Sequence, residues 1–182
     1  MGYAISIPLA WCIPAAAAVI PQHSGIPCIL YRASGPGHPV YGSQPNRKST
    51  QASLWEKYRG ARILNGDKAG VQPGEMTTVH GMPFCGTSGI CENVSLPLRC
   101  IVVLSQAKEN TARRLGVREA LPLLSPNVFA DQLIAEEWQK TLMLLLDLVE
   151  NVPIYSLACT PDVRAVEALE QATAQDGLTN HH

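Results

Sequence analysis

Gly42-Ser43-Gln44-Pro45-Asn46-Arg47-Lys48-Ser49 has the length of the phosphate-binding loop G-x-x-x-x-G-K-[ST], with arginine where the second glycine belongs. One helix later comes a short apolar run, Ala61-Arg62-Ile63-Leu64, and then Asn65-Gly66-Asp67. A lysine at this spacing neutralises β- and γ-phosphates, the hydroxyl after it ligates Mg²⁺, and a carboxylate at a nearby strand end completes a metal site. That order of parts points to phosphoryl transfer. Arg47 points the other way: its Cβ stands where the loop backbone must wrap close to phosphate, which weakens binding. Taken singly, Lys48-Ser49 also reads as a basic helix start, and Asp67 as a turn residue.

The elements that must position these residues can be read from Ser49 onward. Ser49 to Tyr58 reads as a helix punctuated by Gly60, Ala61 to Asn65 as a short strand, and Thr77 to His80 as another. His80 to Pro97 is a loop rich in Gly, Ser, Thr and Asn, of the sort that carries function. Leu98 to Ser105 contains Ile101-Val102-Val103-Leu104, an unbroken apolar run that fits a strand buried on both faces. Val117 to Leu124 reads as a short helix. Ala130 to Glu150 reads as a longer one, with Ile134, Trp138, Leu142, Leu145 and Val149 on one stripe as core packing. Ile154 to Cys159 is a strand, and Thr160-Pro161-Asp162 a helix start with Thr160 as N-cap, proline at N1 and an acid facing the dipole. Strands alternating with helices imply an α/β layered domain over residues 48–172, followed by a frayed tail over 173–182.

The chain changes character near Lys48. No Asp or Glu precedes Glu56, so all fifteen acidic residues lie from Glu56 onward, and seven of the fourteen prolines fall between Pro8 and Pro45. Residues 1–47 therefore read as an irregular Pro-rich leader. One back-translation of Gly37 to Lys48, read one base later, gives Gly-Ile-Leu-Phe-Thr-Gly-Pro-Ser-Arg-Thr-Gly-Lys. That is a strand running into an intact glycine loop, so a frameshifted reading accounts for both the leader and Arg47.

Composition narrows the field. The net charge of −1 and low aromatic content lack the basic footprint of a nucleic-acid binder. The six cysteines form no CxxC pair, and reduced cytosolic thiols are expected, with Cys85 and Cys91 structural. Ile13 to Ile20 is apolar but lacks a basic n-region and is flanked by prolines, so neither secretion nor a membrane span is expected.

Lys48-Ser49-Thr50-Gln51-Ala52, followed by Ile63-Leu64-Asn65-Gly66-Asp67, resembles the nucleotide site of the HPr kinase and PEP carboxykinase-like P-loop kinases. His80-Gly81-Met82-Pro83-Phe84-Cys85-Gly86 and Pro97-Leu98-Arg99 before Ile101 to Leu104 add to the match, which is closest to short bacterial serine-kinase-like relatives. It runs from Lys48 to about Leu169. The resemblance implies a P-loop-containing α/β layered domain, cytoplasmic, using ATP and Mg²⁺. It places Gly42, Lys48, Ser49 and Thr50 on the nucleotide and Ser49 and Asp67 on the metal. Asp67, His80 and Arg99 would be catalytic, His80 orienting or deprotonating an acceptor hydroxyl and Arg99 stabilising transferring phosphate. The acceptor would be a protein serine or a small molecule, and the larger relatives tend to form homo-oligomers. Two departures stand out: Gly66 occupies the first position of the family's paired aspartates, and the strand before the loop has no evident counterpart. An active phosphotransferase, a non-catalytic remnant of one, and a binding module using the loop from His80 to Pro97 are the readings to separate. His80 and Arg99 also have bland readings, as a structural loop histidine and a salt-bridge partner.

Overall fold

The run Ile101-Val102-Val103-Leu104 is buried along its whole length because its strand has a packed layer on each face. The computed structural model describes residues 11–14, 16–20, 28–32, 47–66, 68–83, 85, 89–127 and 135–178. In chain order the elements are β1 (Trp11–Pro14), β2 (Ala16–Ile20), β3 (Cys28–Arg32), α1 (Arg47–Arg59), β4 (Arg62–Asn65), β5 (Lys68–Gln72), β6 (Thr78–Gly81), β7 (Ser95–Pro97), β8 (Cys100–Gln106), β9 (Thr111–Leu115), α2 (Val117–Leu124), α3 (Ala135–Asn151), β10 (Ile154–Cys159) and α4 (Val163–Gln175). The fold is mixed α/β. A six-stranded sheet has the order β4-β2-β3-β8-β10-β9, and a four-stranded sheet the order β1-β5-β6-β7.

Within the larger sheet, β8 pairs in parallel with β3 on one side and with β10 on the other. β2 runs antiparallel to both β3 and β4, so β4 points the same way as β3, β8 and β10. Successive residues of β8 serve opposite faces, as the period of two requires. Ile101 and Val103 join Ile154, Leu115 and Leu64 in a core shared with α2, α3 and the smaller sheet. Val102 and Leu104 join Ile63, Tyr155 and Leu157 in a second core under α1 and α4. Full burial of each such side chain contributes about 1.5–3 kcal/mol, which makes these two cores the main stabilising term.

Local rules explain most element ends. Gly60 takes φ +60° and its N–H bonds to the Glu56 carbonyl, the left-handed cap that stops α1. In α1, Ala52 and Trp55 face the sheet one turn apart. In α4, Ala165, Val166, Leu169 and Thr173 form the buried stripe, and Arg59 on α1 holds Glu170 on α4 through a forked pair, Nη2 to Oε2 at 2.7 Å.

The structure differs from the sequence reading in four places. The leader, expected to be irregular, contributes β1, β2 and β3, and each pairs with a strand beyond residue 48. The strand nearest before α1 in the chain is β3, at Cys28–Arg32. The cap of α4 is Asp162 rather than Thr160: its carboxylate accepts the Arg164 amide, while the Thr160 hydroxyl donates to Asp162 instead of to the helix. Cys85 and Cys91, expected as thiols, are joined by a disulfide, with a Cα–Cα distance of 4.8 Å. The stripe on α3 buries Leu145 and Val149, but Leu142 is exposed; Leu148 takes its place in the core, and Ile134 lies outside the described residues.

Candidate functional site

Two neighbouring parallel strands set up the most distinctive feature of the larger sheet. From β3 the chain passes to α1 on one face and returns as β4; from β8 it passes through α2 and α3 on the other face and returns as β10. Chain leaving adjacent parallel strands in opposite directions is the topology at whose carboxyl ends open α/β sheets bind ligands. The first turn of α1 lies at that edge. Gln51, the residue after this turn, donates from Nε2 to the Thr160 carbonyl at 3.2 Å, just past the end of β10. Its Nε2 also reaches Cys159 Sγ at 3.3 Å.

The turn holding this position is Arg47-Lys48-Ser49-Thr50, with no acidic residue in it. Two cations at the positive end of a helix macrodipole oppose it, by about 0.3–1 kcal/mol each, and an anion at that end reverses the sign. Ser49 and Thr50 are half-buried. Gln51 is 3% exposed and its Oε1 has no hydrogen-bond partner, an uncompensated acceptor just after the first turn of α1. Because Arg47 is helical, it carries no left-handed backbone strain, and any obstruction comes from its side chain alone.

At the end of β10, the Asn110 amide donates to Thr160 Oγ1 at 2.8 Å and Asn110 Oδ1 accepts the Thr160 amide at 3.0 Å. The Thr160 hydroxyl donates to Asp162 Oδ2 at 2.8 Å. Gln51, Asn110 and Thr160 were not singled out as site residues from the sequence. The motif Thr160-Pro161-Asp162 carried a signal, but it reads as a helix start. Asn110 stands alone in a turn.

The edge also includes β4, whose last residue, Asn65, is fully buried and donates from Nδ2 to the Met82 carbonyl at 2.8 Å. Gly42 and Asp67 lie outside the described residues. Lys48, Ser49 and Thr50 are brought together on α1, at the edge where β4 ends.

His80 and Arg99 stand elsewhere. In β6, Val79 faces the core, so His80 takes the opposite face of the smaller sheet. Its Nε2 lies 3.2 Å from Gln72 Oε1 and its Nδ1 2.7 Å from Ser95 Oγ. With both nitrogens engaged across three strands, His80 works here as a cross-strand tie. Arg99 precedes β8, whereas the first turn of α1 is level with its far end; seven residues of strand separate them by about 20 Å. Arg99 is exposed, makes no ion pair among the described residues, and lines a cleft of about 690 Å³ with Glu75, Thr77, Asp147 and Asn151. Arg99 therefore stands at the opposite edge of the larger sheet from the first turn of α1.

Among the described residues no three His, Cys, Asp or Glu gather as a metal site, and no helix is long and apolar enough to cross a membrane. Comparison with protein-family models, with curated proteins and with solved structures returned no match.

Proposed function

We propose that the chain is an ATP-dependent phosphotransferase of P-loop type, delivering phosphate to a hydroxyl of a protein or small molecule. The observation that carries this reading is the position of Arg47 to Thr50: a cationic first helical turn tied, through Gln51 and the Thr160 carbonyl, to the carboxyl edge of the larger sheet. Lys48 would neutralise the terminal phosphates. A nucleotide-bound Mg²⁺ takes most of its ligands from phosphate and water and one or two from protein, which suits the Ser49 hydroxyl and the Asp67 carboxylate. The metal, when bound, would offset charge on the phosphates. His80 and Arg99 are not part of this proposal, for the distances and partners given above.

The test is thermal denaturation with and without Mg-ATP. Wild type should be stabilised, Lys48→Ala should lose the effect while melting without nucleotide no lower than wild type, and Arg47→Gly should gain. A nucleotide-site remnant is the rival, favoured by Arg47 in place of the loop glycine and by Gly66 in place of a first aspartate. It predicts no shift with nucleotide for any of the three.

A further inference from the structure

The carboxyl end of β4 is held at both ends of the stretch from Met82 to Glu92. Asn65 Nδ2 donates to the Met82 carbonyl at 2.8 Å, at one end of that stretch. At the other end, the Glu92 amide donates to the Leu64 carbonyl at 2.9 Å, the Gly66 amide donates to the Ile90 carbonyl at 3.3 Å, and Cys91 bridges to Asn65 in antiparallel fashion. The Cys85–Cys91 disulfide joins the two ends between these anchors, six residues apart. Gly81, where the loop begins, has the Glu92 carbonyl so close that an added Cβ would sit 1.7 Å from its oxygen. One covalent bond therefore spans both sides of the grip on Leu64-Asn65-Gly66. Both sulfurs belong to half-buried residues, whereas Cys100 and Cys159 are buried and outside any disulfide.

We propose that the Cys85–Cys91 disulfide is a thiol-controlled clamp on the carboxyl end of β4. A dithiol reductant opens it by exchange: one reductant thiolate attacks a cysteine sulfur, forming a mixed disulfide and releasing the other cysteine, and the second reductant thiolate then releases the first. The pair gains two electrons and two protons, and the reductant becomes its own disulfide. Opening returns to the loop the chain freedom that the cross-link removed. Only the consequence for nucleotide binding, through the segment that leads to Asp67, rests on the proposed function.

Amide hydrogen exchange on the full chain tests this, in the air-oxidised form, after dithiothreitol, and in the double variant Cys85→Ser, Cys91→Ser. Reduction should speed exchange at Leu64–Gly66 and Ile90–Glu92 by about tenfold, with Ile101–Leu104 unchanged. The double variant should exchange at the reduced rate whether or not dithiothreitol is present. Equal rates in the oxidised and reduced wild type overturn the proposal, as does a double variant that still responds to dithiothreitol. So does an intact mass showing both cysteines as thiols after oxidation. A clamp that responds while Mg-ATP fails to bind in either state supports this inference and removes the kinase reading alone.

Discussion

Asp162 gathers donors at the end of β10: it accepts the Thr160 hydroxyl and, at 3.5 Å, the Asn110 amide, and it binds Arg164 through both the amide at 2.9 Å and the guanidinium at 2.7 Å. Arg164 first, and then Thr160, favours the charged carboxylate and holds its pKa at about 2, below the ordinary 3.8. A depressed folded-state pKa means that the contribution is complete above about pH 4 and is lost as pH falls through about 2. Asp162→Asn keeps a good N-cap and removes the charge, so its urea midpoint should depend less on pH than wild type between pH 2 and 5. Parallel profiles would show that the ion pair adds nothing. At this scale the sequence was informative where chemistry is local. Lys48-Ser49-Thr50 does form one helical turn, because a helix start needs only its own neighbours. The surroundings of His80 and Arg99 were not legible, since they are set by other strands: Gln72 and Ser95 flank the His80 ring, and the length of β8 carries Arg99 to the opposite edge.

At the scale of elements, legibility follows burial. β8, β10 and α2 were readable because each shows an apolar run or stripe bounded by turn residues. β9 was not: it is an edge strand, only Leu115 of Thr111–Leu115 is buried, and Arg113 and Arg114 face solvent as charges that discourage further pairing. β5 was also missed, being five residues with a glycine in the middle, Lys68-Ala69-Gly70-Val71-Gln72. Its fellow β6 ends on Gly81, whose missing Cβ makes room for the Glu92 backbone. Backbone cannot swing aside as a side chain can. Gly81→Ala should therefore cost about 2 kcal/mol or more in chemical denaturation, a loss large enough to be diagnostic. A variant within about 0.5 kcal/mol of wild type would mean that Gly81 and Glu92 are not in contact.

At the scale of the whole molecule, the acid-free first third is the surprise. Composition shifts at residue 48, yet β3 lies between β2 and β8 in the larger sheet and β1 lies at the edge of the smaller one. Pairing between distant strands leaves no local periodic mark, so a leader without helical or alternating pattern gave no warning of it. Removing residues 1–32 should abolish cooperative unfolding, because it strips a parallel neighbour from β8. A truncated chain that still melts cooperatively would show that the leader is dispensable. The proposed phosphate site rests on α1 and on the reversal of strand order between β3 and β8, and Arg47 is the residue in conflict with that proposal. Calorimetric titration with Mg-ATP tests this most directly. Wild type should bind saturably in the micromolar to millimolar range, and Lys48→Ala should bind at least about tenfold more weakly. No binding heat for wild type at millimolar nucleotide, or equal affinity in Lys48→Ala, would contradict the account.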